Sequence, residues 1–257
     1  MRLYFAGAEN YHKELWDAGA RDFLVTLAYD PEKIVFIRKT YPGVRIMIDS
    51  GAFTFYNKGA NMTPEKWLSE YSKYFQYGDE VIGLDVIYNG PASLSNYLHI
   101  RKEYPNVLPT YHVGEPLDIF DEYAALTKRV AVGGLVNNPD PNREWYIKRI
   151  FEKYRDTLAI HAFGVTKQDY LKRYPFASCD STTWNNPSIY GETHYYREGR
   201  LVKVRSPKLS GKVSFQGKPA IFDREYRLAE SIRAMVQYNQ FITRLWKARG
   251  VQVPEVG

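Results

Sequence analysis

The fold is predicted from a pattern that is clearest in Arg45-Ile-Met-Ile-Asp-Ser-Gly-Ala-Phe53. This stretch joins a short, β-branched, apolar run to a polar turn, and a helical pattern follows it. Eight runs of this kind recur along the chain: Leu3–Gly7, Phe23–Ala28, Arg45–Asp49, Val81–Asp85, Val107–His112, Val130–Gly134, Leu158–Phe163 and Phe176–Asp180. Apolar strands that alternate with helices indicate a parallel sheet buried on both faces, and eight such units predict an α/β fold, the (β/α)8 TIM barrel.

The segments between these runs carry helix signals. Thr63-Pro-Glu places a good N-cap before a proline at the first helical position, and apolar residues follow at helical spacing. Asp140-Pro-Asn-Arg-Glu opens a second such segment. Both segments are therefore predicted to be helices that cover the sheet.

The pattern changes near residue 193. Tyr195–Val204, with Glu198-Gly199 at its centre, predicts a two-stranded hairpin, and residues 222–249 predict one long helix. We expect a catalytic barrel core over residues 1–192. Residues 193–257 should form a basic C-terminal extension, hairpin plus helix, packed on the same domain.

The composition is that of an ordinary globular protein of 257 residues. Hydrophobic residues make up 44% and charged residues 25% of the chain. The one cysteine, Cys179, excludes an internal disulfide and a zinc site built on several thiolates. The apolar run in the first ten residues is too short for a signal peptide or a membrane span, so neither is expected there. A cytoplasmic location without membrane attachment is expected.

Positive charge is concentrated in one stretch. The net charge is +6, and residues 194–218 hold seven Lys or Arg against one acid. This basic stretch is explained equally well by the solvated surface of a hairpin and by a nucleic-acid interface. In the second interpretation the phosphate contacts are made by Arg197, Arg200, Lys203, Arg205, Lys208 and Lys212.

Polar residues with catalytic potential follow the predicted strands, at the barrel face where TIM-barrel active sites lie. They are Asp49, Asp85, His112, His161 and Asp180. A metal-dependent hydrolase would use such residues as ligands, whereas a glycosyl-transfer enzyme would use two carboxylates as nucleophile and proton donor. A non-catalytic nucleic-acid-binding barrel is a third alternative.

The glycines and one aromatic residue favour a flat ligand. Gly133-Gly134 leaves the backbone bare, so that its polar groups can approach a planar molecule closely. Phe53, close to Asp49, offers a ring on which a base could stack. The hydroxyls of Ser178 and Ser181 could orient the Asp180 carboxylate.

Four short segments carry a resemblance to a known family. Asp49-Ser-Gly-Ala-Phe53 resembles the DSGGF or DSGGY motif of the tRNA-guanine transglycosylase superfamily, and Val132-Gly-Gly-Leu135 is similar to its GGL segment. His161-Ala-Phe-Gly-Val165 is similar to its HxxGV segment, and Phe176–Trp184 lies where that family carries its nucleophile. The chain lacks the cysteine-rich zinc site of the tRNA enzymes, so it looks most like the DpdA-type enzymes of bacteria and their viruses, which modify DNA.

The resemblance implies a function, a pentosyltransferase that replaces guanine in DNA by a 7-deazaguanine derivative. Asp180 would be the nucleophile that forms a covalent aspartyl-glycosyl intermediate, and Asp49 would exchange protons with the leaving and incoming bases. The base would be bound by Asp85, Phe53, Ser50, Gly51, Gly133, Gly134, Leu135, His112 and His161.

The expected partners follow from the same resemblance. They are DNA, or tRNA as the alternative, and a free base such as preQ0, preQ1 or guanine. No metal and no other cofactor is required. A homodimer is one option for the assembly, and the location would be the host cytoplasm if the chain is phage-encoded.

Overall fold

The computed structural model describes residues 1–135, 142–165, 167–186, 190–205 and 223–251. Eight strands form one sheet with every observed pairing parallel: β1 Arg2–Ala6, β2 Asp22–Thr26, β3 Arg45–Asp49, β4 Glu80–Val81, β5 Thr110–His112, β6 Arg129–Gly133, β7 Ala159–Ala162 and β8 Ser178–Ser181. The order is β4-β3-β2-β1-β8-β7-β6-β5, and a parallel bridge between Ile82 and Leu108 joins its two ends. The predicted (β/α)8 TIM barrel is confirmed.

Helices alternate with the strands. They are α1 His12–Asp17, α2 Glu32–Thr40, α3 Ala52–Asn57, α4 Pro64–Phe75, α5 Gly90–Ile100, α6 Leu117–Leu126, α7 Arg143–Tyr154 and α8 Gln168–Arg173. The predicted N-cap of α4 is confirmed, since the Thr63 hydroxyl accepts a hydrogen bond from Lys66 N. On the same helix Trp67 is fully buried and donates its indole N–H to Ser50 O, which fixes the end of β3.

The inside of the barrel has two layers of different chemistry. Several strands begin with a charged residue, and these residues meet at the amino-terminal end of the barrel, which we call the floor; they are Arg2, Asp22, Arg45, Glu80 and Arg129. Above the floor lies an apolar layer made of Tyr4, Ala6, Leu24, Met47, Ile82, Leu108 and Phe163. The opposite, carboxyl-terminal end, called the mouth, is polar again.

Strand β4 is shorter than the sequence predicts. Gly83 N still donates to Leu108 O, but two side chains from α5 bind the backbone that follows. Asn96 Nδ2 donates to Leu84 O, and Ser93 Oγ accepts from Val86 N. Because these bonds replace a strand ladder, Asp85 lies in a loop beyond β4 rather than at its last residue.

The C-terminal extension contains the predicted hairpin and helix. Strands β9 Glu192–Arg197 and β10 Arg200–Arg205 pair antiparallel, and Glu198 and Gly199 both have positive φ, as a two-residue hairpin turn requires. Helix α9, Arg224–Ala248, packs on β9.

Hydrogen bonds join α9 to the rest of the chain. Ser231 Oγ accepts from His194 N, and Trp246 donates to Leu171 O. The division at residue 193 stays a prediction. Across the described ranges no helix is long and apolar enough to cross a membrane.

Candidate functional site

Three aspartates, two in strands and one in a loop, converge at the mouth. Asp49 is the last residue of β3, Asp180 lies in β8, and Asp85 lies in the loop after β4. The negative charges of Asp85 and Asp180 both act on Asp49. The carboxyl-terminal ends of parallel strands thus bring together acids that are 131 residues apart in the chain.

The pKa of Asp49 is raised from its ordinary value of 3.8 to about 7. Burial of the carboxyl is the largest cause, and the charge of Asp85 comes next, with that of Asp180 adding to it. Hydrogen bonds from the Thr26 hydroxyl and Gly51 N–H act in the opposite direction but are outweighed. A carboxyl with this pKa can both hold and release a proton near neutral pH.

His112 lies between two acids. Its Nε2 is 3.3 Å from Asp85 Oδ2, and its Nδ1 is 3.5 Å from Glu115 Oε1. Burial alone would lower the pKa of His112, but the hydrogen bonds and charges of Asp85 and Glu115 outweigh it and raise the pKa to about 9. At neutral pH this residue is therefore an imidazolium that neutralises part of the charge of the mouth.

The position of His112 depends on a glycine. A Cβ on Gly133 would lie 2.6 Å from His112 Cδ2 and 3.0 Å from Nε2. The sequence predicts Gly133 as a backbone contact for a flat ligand. In the structure it makes room for the imidazole that bridges Asp85 and Glu115.

Replacing Glu115 by glutamine should lower the pKa of His112 by about 1 to 2, because one of its two anionic partners is lost. An NMR titration of the imidazole resonances measures this directly. The control is Glu65→Gln, which removes the partner of the exposed His99 and should leave His112 unchanged. An unchanged His112 pKa in Glu115→Gln would contradict the assignment.

Asp180 is positioned through only one of its two carboxylate oxygens, Oδ1, among the contacts of the described residues. Its Oδ1 accepts a hydrogen bond of 2.8 Å from Gly164 N and lies 3.4 Å from His161 Nε2. Ser178 Oγ lies 2.8 Å from His161 Nδ1, and Ser181 Oγ accepts from Thr183 N. Ser178 therefore acts on Asp180 through His161 rather than through the direct contact that we expected.

The other predicted base-binding residues are dispersed. Ser50 Oγ donates to Asp85 Oδ1 over 3.4 Å, and Gly51 is the N-cap residue just before α3. Phe53 is 64% exposed, and Leu135 is buried. The structure therefore brings Ser50, but not Phe53 or Leu135, into contact with the aspartates.

The predicted phosphate contacts lie on the hairpin. Lys203 Nζ and Arg205 Nε each lie 2.9 Å from the carboxylate of the buried Glu192, so both are engaged within the hairpin. Arg197 and Arg200 lie at the hairpin turn. Lys208 and Lys212 lie outside the described residues.

Two acids on the mouth side of the barrel, Glu115 and Glu9, were not predicted from the sequence. Glu115 lies three residues after the predicted His112 in His112-Val-Gly-Glu115, and that spacing was the available signal. Glu9 follows β1 on the same side of the barrel, is buried, and has a pKa raised by burial. Both add carboxyl groups to the mouth side of the barrel.

Exposed aromatic side chains follow three neighbouring strands. We call them the aromatic rim: Tyr29 after β2, Phe53 and Tyr56 in α3 after β3, and Tyr88 after β4. The Tyr56 and Tyr88 rings meet edge to face at 6.2 Å. Tyr88 has φ 62°, a conformation that a large side chain seldom adopts. The rim gives the mouth an apolar border on one side.

No group of three or more His, Cys, Asp or Glu in the described ranges is arranged to hold a metal ion. The His112 and His161 imidazoles are instead occupied by carboxylate and hydroxyl partners. The metal-dependent hydrolase, one of the alternatives from the sequence, therefore has no ligand set among these residues.

Comparisons with known proteins agree on the fold. No family model and no curated protein matches the chain. A native KDPGal structure is similar at a TM-score of 0.51 and 12% identity, covering 95% of this chain and 97% of that one. Tryptophan synthase alpha chain from Legionella pneumophila is similar at a TM-score of 0.53 and 8% identity, covering 95% of this chain and 92% of that one.

These neighbours overturn the family assignment. They are a KDPGal structure and a tryptophan synthase alpha chain, not tRNA-guanine transglycosylases, so the predicted DNA 7-deazaguanine transglycosylase and its pentosyltransferase activity are wrong. The motifs misled for a physical reason. Gly51, Gly134 and Gly164, one in each of three motifs, all have φ between 65° and 81°, as a turn that leaves a strand requires. The matching letters reflect TIM-barrel turns rather than a shared family.

Proposed function

We propose that this chain is a proton-transferring enzyme, a lyase or isomerase whose active site is the mouth of the barrel. The observation that carries the proposal is Asp49, with a pKa of about 7 at the end of a barrel strand, beside Asp85 and Asp180. Carboxyls whose protonation is tuned to neutral pH by burial and like charge are the groups that general acid–base catalysis needs.

The two catalytic roles follow from the environments of the two acids. Asp49 in its neutral form donates a proton to the substrate, and in its charged form it takes the proton back. Asp180 is the base, because Oδ1 is fixed by Gly164 N–H while Oδ2 is assigned to the substrate. Asp85, oriented by Ser50 and His112, binds a hydrogen-bond donor of the substrate.

The charge of the mouth indicates the class of substrate. Asp85, Asp180 and Glu115 outnumber the one imidazolium, so the site favours a cationic or N–H-bearing group and repels a phosphate. Many TIM barrels bind phosphate with the loops after strands seven and eight. In this chain the Gly164 N–H after β7 is occupied by Asp180. A small nitrogen-containing substrate without a phosphate group fits best.

The strands also bear on the mechanism. None of β1 to β8 contains a lysine, so an imine with the substrate would need an amine from another part of the chain. Proton abstraction next to a carbonyl or imine requires only the two aspartates.

Hydrogen exchange with solvent tests the proposal. The protein is incubated in deuterated water with a panel of amino acids, amidines and cyclic ureas, together with their phosphorylated analogues, and deuterium on carbon is read by mass spectrometry. We expect exchange in an unphosphorylated, nitrogen-bearing member, lowered about 100-fold or more by Asp49→Asn and by Asp180→Asn. The rate should fall as the pH rises through about 7, because the acid form of Asp49 is lost.

The matched control is Asp156→Asn, which changes an exposed aspartate paired with Arg155. It should exchange substrate at the rate of the unaltered protein. Exchange in no member of the panel, or exchange that both active-site variants retain, would contradict the proposal.

Two earlier expectations stay proposals beside this one. Contact of Arg197 and Arg200 with a nucleic-acid backbone is tested by binding at increasing salt, which should weaken it steeply. A cytoplasmic location is suggested by the single cysteine, Cys179, which is free and buried.

A further inference from the structure

A chain of hydrogen bonds and charge-pair contacts runs from the floor of the barrel to the mouth. At the floor, Tyr4 Oη donates to Glu80 Oε1 over 2.7 Å, and Glu80 Oε2 is paired with Arg129 Nη2. These residues come from β1, β4 and β6, which are not neighbours in the sheet, so the contacts cross the inside of the barrel. Burial and the adjacent Glu80 raise the pKa of Tyr4, so its hydroxyl stays a donor.

The chain continues upward through Ser178. Arg129 Nη2 donates to Ser178 Oγ over 3.0 Å, and the same oxygen lies 2.8 Å from His161 Nδ1. Arginine has no acceptor, so Ser178 must be the acceptor in the first contact. The oxygen could accept a second time, but the carboxylate of Asp180 near Nε2 favours a proton on Nε2, so we assign the Ser178 hydrogen to the second contact, in which His161 Nδ1 accepts.

The tautomer of His161 follows from this direction. If Nδ1 accepts a hydrogen bond, the proton of the neutral ring is on Nε2. Nε2 lies 3.4 Å from Asp180 Oδ1 without the geometry of a hydrogen bond, and the negative charge of the carboxylate favours a proton over a lone pair on that nitrogen. The ring is also fixed in orientation by edge-to-face contacts with Tyr4 and Phe163.

We propose that Ser178, oriented by Arg129, is a positioning residue that holds His161 as its Nε2–H tautomer and so keeps a proton, rather than a lone pair, beside Asp180. Oδ1 then accepts from Gly164 N and has the Nε2–H of His161 nearby, and Oδ2 is left for the substrate. The tautomer stands on the geometry alone. Its effect on catalysis rests on the proposed function.

Nitrogen-15 NMR of the histidine rings tests the tautomer without a substrate. The chain has five histidines, and His161→Gln assigns the resonances by their loss. In the unaltered protein at pH 7 we expect an unprotonated Nδ1 and a protonated Nε2 on His161. In Ser178→Ala, where Nδ1 loses its donor, we expect this single tautomer to become a mixture or an imidazolium.

The control is Ser231→Ala, which removes a buried serine hydroxyl beside another histidine, His194. It should leave His161 unchanged. An Nδ1–H tautomer or an imidazolium in the unaltered protein would overturn the proposal even if Ser178→Ala did not fold, and an unchanged tautomer in folded Ser178→Ala would also overturn it. If the tautomer changes as expected while Asp49→Asn and Asp180→Asn have no effect on exchange, the proposed function fails and this inference stands.

Discussion

Replacing Arg129 by methionine should lower the free energy of unfolding by about 3 to 5 kcal/mol, the usual cost of removing one partner of a buried ion pair. The side chains of Arg129 and Glu80 are only 12% and 5% exposed. Without Arg129, the Glu80 carboxylate keeps Tyr4 as a donor but has only the more distant Arg2, at 3.9 Å. Chemical denaturation at pH 7 measures the loss.

A double variant separates the ion pair from simple packing. Glu80→Gln keeps an acceptor for Tyr4 and removes the charge, so Arg129→Met combined with Glu80→Gln should recover much of the lost stability. Arg173→Met is the matched control, because Arg173 pairs with Glu144 at the surface, where the two side chains are 54% and 47% exposed. It should cost about 0 to 1 kcal/mol. Equal losses in Arg129→Met and Arg173→Met would contradict the buried pair.

The strands could be predicted because their signal is local. Arg45–Asp49 has the same bounds in sequence and structure, and the hairpin turn lies at Glu198-Gly199 as predicted. β4 could not be bounded, because it ends where α5 side chains bind its continuation. Those bonds depend on the packing of a later helix, which no local pattern contains.

The residues of the candidate site also divide into those that the local sequence predicts and those that it does not. Asp49, Asp180 and His112 could be found because polar residues at strand ends must meet at one end of a barrel. The floor could not, because a charged residue such as Glu80 or Arg129 at the start of a strand has the pattern of a solvent-exposed end. Only closure of the barrel brings the two into contact. Family membership failed because three of the motifs contain a glycine that the turn itself requires.

The second large effect concerns Asp49, whose buried carboxyl lowers the stability of the folded protein at neutral and high pH. Asp49→Asn should make the protein more stable by about 2 to 4 kcal/mol above pH 8 and by about 1 to 2 kcal/mol at pH 5, and should leave it nearly unchanged below about pH 3. The folded pKa of about 7 lies above the ordinary 3.8, so the folded state binds the proton more tightly than the unfolded state. Asp49 therefore destabilises the fold progressively as the pH rises from about 4 through 7.

At pH 5 the aspartate is protonated in the folded protein but mostly charged in the unfolded chain, so part of the difference is already present. At pH 9 the charged carboxylate faces Asp85 and Asp180, and the neutral amide escapes that repulsion. The difference in unfolding free energy between Asp49→Asn and the unaltered protein, measured at pH 5, 7 and 9, isolates this residue, because groups that titrate alike in both proteins cancel. Asp156→Asn should show no such pH-dependent difference. A constant difference for Asp49→Asn across the range would mean that Asp49 is charged throughout, and the proton donor of the proposed reaction would be lost with it.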